Sequence, residues 1–304
     1  MVLITGGSGY LGGRISTHLK QLGYEVRVGK SVQSDSDGFP IDLTDDHSIN
    51  SACDGISSIV HLAAMNAQSC VDNPEKALLV NGMGTLRLLK AAKKNKVSKF
   101  LYFSTAHVYG SPLVGEINEE LLPRPTHPYS ISHRVAEDYI LEEANKAKLA
   151  VSVFRLTNAI GSPIDPKANC WMLIANDLCR QVVISKSIKV HSSKLIQRDF
   201  IPISSICSIV SSWLNSNVLD GEIVNLSSGI SITLESLAAL IAERSELVLG
   251  FKPNIHFFNN SIEKDLDELV ISNRKLIDLG FQINSNFSDE IDLLLSNCNK
   301  WFSN

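Results

Sequence analysis

The sequence predicts an α/β protein built on a doubly wound parallel sheet. Short apolar runs alternate with amphipathic stretches through the first half of the chain, the pattern of strands joined by crossover helices. The first run ends in a glycine cluster that leads straight into a helical pattern. The 304 residues, 44% hydrophobic and 20% charged, suffice for one large domain or two closely joined ones.

Taken in order, "MVLIT" is a short apolar run of the kind buried in a parallel sheet. In "GGSGYLGGRISTHLKQLG", Ile15, Leu19 and Leu22 follow at helical spacing, and Gly23 supplies a stop. "YEVRV" reads as the next strand, and a third strand precedes Asp42. "SSIVHLAA" and "KFLYFST" are two further apolar strands. Between them "PEKALLVNGMGTLRLLKAAKKNK" predicts a helix opened by Pro74 and closed by lysines that suit its dipole. After the proline-rich "LLPRPTHP" comes a helix from about Tyr129 to Lys146, then the strand "AVSVFRL". The second half is less regular. "QRDFIPISSICSIVSSWL" reads as a strand feeding a helix, "EIVNLSS" as a strand, and "TLESLAALIAERS" as a helix with Thr233 as N-cap. No composition break, repeat or low-complexity tract divides the chain.

A net charge of −4 provides no basic field for nucleic acid or anionic lipid. Cys53, Cys70, Cys170, Cys179, Cys207 and Cys298 are scattered without metal-ligand spacing, so no metal site is expected and reduced thiols are. Met1 runs directly into "VLIT", and no stretch of about 18 apolar residues occurs, so neither a signal peptide nor a membrane span is expected. These readings together lead to a cytoplasmic location as the expectation.

Gly6, Gly9 and Gly12 form G-x-x-G-x-x-G between a strand and a helix. Glycines there allow a tight turn and a close backbone approach to a pyrophosphate, and the helix N-terminus offers free N–H groups. A purely structural turn is the alternative. A nicotinamide dinucleotide site often carries an acid at the end of the second strand, to hold the adenosine ribose. This chain has Lys30 there, which favours NADP over NAD. Lys30 could also be merely solvated, with Asp35 or Asp37 curling back. Asp42, followed by Leu43, could bring a carboxylate to the adenine amino group or could cap a helix.

These residues, with several ordered motifs, identify a resemblance to the extended short-chain dehydrogenase/reductase family. The similarity is greatest to the NAD(P)-dependent nucleotide-sugar epimerase/dehydratase type. It rests on the glycine loop, "DLTD" at 42–45, "HLAA" at 61–64, Asn81 in "NGMGT", and "STAHVYG" at 104–110. It rests further on Tyr129 in "HPYSISH", "RLTNAIG" at 155–161, "RDFIPI" at 198–203 and "NLSSG" at 225–229. The resemblance implies a Rossmann-like domain from residues 1–160 and about 195–225. A smaller C-terminal substrate-binding region, about 161–194 and 226–304, would close over a nucleotide sugar. It also implies homodimers formed through a four-helix bundle. Cofactor contacts would come from Gly6, Gly9, Tyr10, Leu11, Gly12, Lys30, Asp42, Leu43, Leu62, Ala63, Ala64, Asn81 and His133. Thr105 would hydrogen-bond the reacting sugar oxygen, and Tyr129 would exchange a proton with it. Asn158 and Arg198 would contact the sugar nucleotide.

One position departs from the family. The lysine expected four residues after the tyrosine is His133. A free tyrosine, with a pKa of about 10, is a poor base at pH 7 unless a positive charge stabilises the phenolate. Lysine is a lasting cation, whereas an unperturbed histidine is charged only about a quarter of the time at pH 7. Charge on an oxidised nicotinamide, coupling between His133 and the phenolate, or a water could compensate; a packing histidine is the alternative. His107 stands in "STAHVYG" beside Ala106, where sugar dehydratases carry an Asp–Glu pair. Ala106 cannot donate a proton, which disfavours dehydration. His107 could be an auxiliary base or a polar residue lining the substrate site. The expected function is a nucleotide-sugar epimerase acting by transient oxidation. The alternatives are an NADPH-dependent ketoreductase and a catalytically weakened dinucleotide-binding protein.

Overall fold

The computed structural model describes residues 1–303 apart from 145, 147–148 and 260–267. Seven strands form the central sheet: β1 (Val2–Thr5), β2 (Val26–Ser31), β3 (Phe39–Ile41), β4 (Ser58–His61), β5 (Lys99–Thr105), β7 (Ala150–Leu156) and β11 (Glu222–Leu226). Their order is β11-β7-β5-β4-β1-β2-β3, and every neighbouring pair is parallel. The order reverses between β1 and β4, which opens a crevice at their carboxyl ends.

Helices cover both faces, as the alternation of apolar side chains requires. Val2 and Ile4 of β1 pack on one face against Ile15 and Leu19 of α1 (Tyr10–Gln21), and against Ile206 and Val210 of α8 (Ile203–Leu214). Leu3 and Ile59 face the other way, toward α2 (Asp46–Cys53), α5 (Gly84–Lys94) and α6 (Pro128–Ala144). Each fully buried aliphatic side chain contributes roughly 1.5–3 kcal/mol.

The run read as a single helix from Pro74 is more broken. After α3 (Ala67–Asp72), Asn73 caps α4 (Pro74–Ala77) by accepting from Lys76 N at 2.9 Å. A π-helical turn over Leu78–Met83 then precedes α5. Such turns shift side-chain register and often mark functional regions; here the turn carries the buried Asn81. α6 begins at Pro128, with His127 Nδ1 accepting from Tyr129 N at 3.2 Å. Its described part ends at Ala144, two residues before the expected end at Lys146.

The smaller region holds three short sheets. β10 (Gln197–Pro202) pairs with β8 (Asn158–Ile160) and β12 (Ser231–Thr233), β9 (Ser187–Ser193) with β13 (Asn254–Asn259), and β6 (Gly115–Ile117) with β14 (Leu269–Ile271). Strands β8 and β10, expected in the first domain, therefore pair outside the central sheet. α7 (Ile174–Ser185), α9 (Leu234–Leu249) and α11 (Ser288–Phe302) share a separate apolar core. Thr233 caps α9, accepting from Ser236 N at 3.0 Å; the short α10 (Arg274–Asp278) follows β14.

The two regions are joined at α1. The Arg14 guanidinium donates to both Glu290 oxygens, at 2.9 and 2.7 Å. The Tyr10 hydroxyl lies 3.0 Å from Gly161 O and 3.1 Å from Asn176 Oδ1. All six cysteines are buried and free. Among the described residues no helix is long and apolar enough to cross a membrane, and no cluster of metal-ligating side chains occurs.

Candidate functional site

A cavity of about 750 Å³ opens where the strand order reverses. Gly6 and Gly9, Lys30, Asp42 and Leu43, and Ala63 and Ala64 bring the ends of the first four strands to it. Gly6 has φ +66°, a left-handed conformation that favours glycine. A Cβ on Gly12 would lie 2.1 Å from Gly6 O, so only glycine lets α1 pack this closely under the loop. Gly9 caps α1 without a side-chain oxygen, which leaves the first-turn N–H groups of Tyr10, Leu11 and Gly12 as open donors. An anionic diphosphate fits that cradle, with its charge met by the helix dipole. The residues present thus fit a dinucleotide.

The sequence-predicted cofactor contacts divide into two groups. Gly6, Gly9, Lys30, Asp42, Leu43, Ala63 and Ala64 line the cavity. The Tyr10 side chain turns to the α1 seam, Leu11 and Leu62 pack on the apolar core, and these three can reach a ligand only through backbone. Asn81 stands apart from both groups: its Oδ1 accepts from Met65 N at 2.8 Å and its Nδ2 donates to Ser132 Oγ at 2.9 Å. It therefore ties the loop after β4 to α6 rather than lining the cavity.

Lys30 Nζ donates to Ser34 O at 3.0 Å and stands among Ser31, Gln33, Ser34 and Ser36 in the cavity wall. Asp42 is not a helix cap; that role belongs to Asp45. Its Oδ1 accepts from Thr44 Oγ1 and Thr44 N, which hold the carboxyl below its usual range. Sequence reasoning missed Lys76, Asp165, Lys167 and Asn169, which complete the cavity. The last three lie in the segment after β8, where no spacing rule applies and only folding reveals the contact.

Helix α6 carries the tyrosine–histidine pair, and neither residue lines the cavity. Tyr129 and His133 lie one turn apart on one helix face, with ring centroids 4.4 Å apart and edge to face. His133 is 2% exposed, does not line the cavity, and its Nδ1 lies 2.7 Å from the hydroxyl of Tyr102 on β5. Burial lowers His133 to about 4, so it is uncharged at pH 7. Burial, then the neighbouring Cys70, pushes Tyr129 up to about 12. Thr105 closes β5, its Oγ1 accepting from His107 N at 3.2 Å.

His107, Asn158 and Arg198, which are far apart in sequence, meet in a small cleft with Leu156, Leu269 and Ile271. Asn158 Nδ2 donates to Asp199 O at 2.9 Å, and Arg198 Nη1 to Gln197 O at 3.1 Å, so most of the guanidinium remains open to a ligand. Asp199 is buried but satisfied by Thr157 at 2.6 Å and Ser228 at 2.8 and 2.9 Å, and so anchors the cleft. Loss of water, then Arg198 and His127, holds the His107 ring below its usual pKa.

Comparison with known proteins gives a consistent picture. The model of the NAD dependent epimerase/dehydratase family matches residues 2–227. A GDP-6-deoxy-D-talose 4-dehydrogenase from Aggregatibacter actinomycetemcomitans is 28% identical over 284 residues, 91% of this chain and 90% of its own. A UDP-glucose 4-epimerase from Haemophilus influenzae is 29% identical over 182 residues, 53% of this chain and 54% of its own. In fold, the chain is similar to the Pseudomonas aeruginosa protein RMD, solved in complex with NADPH. That likeness has a TM-score of 0.81 at 23% identity and covers 98% of both chains.

Proposed function

The chain belongs to the NAD dependent epimerase/dehydratase family, and on that premise we propose that it is an NADPH-dependent reductase of a nucleotide-linked keto sugar. The observation that carries this reading is the setting of Tyr129: a half-buried phenol whose neighbour on the helix face is an uncharged imidazole. With no cation there to stabilise phenolate, Tyr129 is suited to give a proton to a developing alkoxide rather than to take one from an alcohol. Thr105 would hold the same oxygen. Arg198, Asn158 and His107 would bind the phosphates and the sugar. Lys30 and the serines around it suit the 2′-phosphate of NADP, and the glycine loop with Ala63 and Ala64 would hold the rest of the cofactor. When bound, the dinucleotide supplies the hydride.

The second reading is an epimerase that oxidises a sugar hydroxyl transiently through the same Tyr129. The motif pattern and the likeness to a UDP-glucose 4-epimerase favour it. Purified protein with NADPH and nucleotide-linked keto sugars separates the two: the reductase consumes NADPH stoichiometrically, whereas the epimerase interconverts nucleotide-linked alcohols without net change in absorbance. In either case Tyr129→Phe is expected to slow turnover by about 10²–10⁴-fold while dinucleotide affinity stays near wild type. Unchanged turnover would sink both readings of Tyr129, whereas absence of turnover by the wild type on any nucleotide sugar would leave a dinucleotide-binding protein.

A homodimer in the cytoplasm completes the proposal. Leu78, Leu79 and Met83 near α5, and Ile131 and Tyr139 on α6, are exposed apolar side chains that a second copy would cover. Light scattering should give twice the chain mass, and Leu79→Glu should shift it toward the monomer.

A further inference from the structure

A second cavity, of about 470 Å³, lies at the seam between the two regions. None of its lining residues lines the dinucleotide cavity or the His107 cleft. Three helices each turn one face to it. α1 supplies Arg14 and His18, one turn apart, and α8 supplies Ser204 and Ser208. α11 supplies Leu293, Lys300 and Trp301. Pro163 and Ile164 complete the wall, and the next residue, Asp165, already belongs to the dinucleotide cavity. Small-molecule sites run from about 300 to 1,000 Å³, so this space is larger than an inorganic anion needs.

The fixed charge in the lining has one sign. Arg14 and Lys300 line the cavity, and among the described residues no carboxylate does. A guanidinium has five N–H donors. Arg14 Nη1 is spent on Ser162 O and Glu290, both at 2.9 Å, and one Nη2 hydrogen on Glu290 at 2.7 Å. The Nε–H and the second Nη2–H have no acceptor among the described residues. Glu290 is itself buried, and it also accepts from Ser204 N at 2.9 Å. It does not cancel the field of its partner: burial, then Arg14, holds His18 below its usual pKa. Lys300, in the last turn of α11, is exposed and pairs with no acid among the described residues. Beside these cations the half-buried indole of Trp301 and the exposed Ile164 and Leu293 form an apolar wall.

Cations, hydroxyls and an indole in one cavity match a ligand with a phosphate at one end and a flat ring at the other. We propose that the seam cavity is a second ligand site, for a nucleoside monophosphate whose phosphate is held by Arg14 and Lys300 and whose base lies on Trp301. The ligand would bridge α1 of the dinucleotide-binding region and α11 of the smaller region. This site depends on neither reading of Tyr129.

The test is calorimetry of adenosine monophosphate against the full chain. The wild type should show a binding event that Lys300→Glu weakens at least tenfold. Lys30→Ala, in the dinucleotide cavity, and Arg198→Ala, in the His107 cleft, should leave that event within about twofold. Inorganic phosphate should bind about tenfold more weakly than the nucleotide, and Trp301→Leu should remove that margin. The absence of any event that follows Lys300 overturns the proposal, whether the nucleotide fails to bind or binds only where Lys30 or Arg198 holds it. Phosphate binding as tightly as the nucleotide overturns the assignment of the base to Trp301. Failure of the chain to bind NADPH would sink the functional reading and leave this result to be judged by Lys300 alone.

Discussion

At the carboxyl ends of β1 to β4 the chain offers backbone N–H groups, hydroxyls and Lys30 to an open cavity. Under α6 it seals Tyr102, His133, Glu137 and Arg155 away from water. The two regions use polarity in opposite ways. In the cavity wall polar groups stay solvated until a ligand arrives, so each can be changed at little cost to folding. Under α6 every polar group was desolvated when the chain folded, so its partner decides its charge and its proton. The adjacent regions thus differ in what mutation should reveal: affinity in one, stability and protonation in the other.

The largest effect is expected at the ion pair. Glu137 is fully buried and accepts from Arg155 Nε and Nη2, and from Arg134 at 3.1 Å. Glu137→Gln would leave the Arg155 guanidinium uncompensated and should lower unfolding free energy by about 3–5 kcal/mol in urea. A loss under about 1 kcal/mol would mean that water reaches Arg155 and that the region is not sealed.

Acid sharpens the contrast next. His133 titrates at about 4 in the folded chain against about 6.5 unfolded. The unfolded state binds this proton first, so stability is complete above about pH 6.5 and falls as pH drops toward 4. The contribution lost is on the order of 3 kcal/mol. His133→Gln should flatten that part of the pH–stability curve. Identical slopes in the two proteins would show that the histidine is hydrated.

The smallest effect belongs to the cavity wall. Lys30→Ala should leave the unfolding midpoint near wild type and reduce the preference for NADPH over NADH by about tenfold, or about 1.4 kcal/mol. Equal loss for both dinucleotides would assign Lys30 to the loop contact with Ser34 rather than to a 2′-phosphate.

The cavity wall was largely legible in advance because its determinants are local. Gly6, Gly9 and Gly12 follow a strand at fixed spacing, and a backbone that must turn and admit a phosphate leaves a mark in the sequence. The i, i+4 relation of Tyr129 and His133 was legible for the same reason. The π-helical turn at Leu78–Met83 was not, because it preserves the apolar character of a continuous helix. Nor was the role of Asn81, whose amide is claimed by Met65 and Ser132 only after three elements have packed.

The sequence by itself determined the parallel sheet, the glycine cradle and the presence of a tyrosine–histidine pair, since each depends on periodicity or on residues within one or two turns. Tertiary structure decided what the pair is. It set Tyr102, 31 residues from His133 in sequence, at 2.7 Å from the imidazole. It brought Lys167 to the cavity and gathered His107, Asn158 and Arg198 in one cleft. Charge state and tautomer depend on desolvation and on the nearest hydrogen-bond partner. Both are properties of a packed neighbourhood that no local pattern along the chain records.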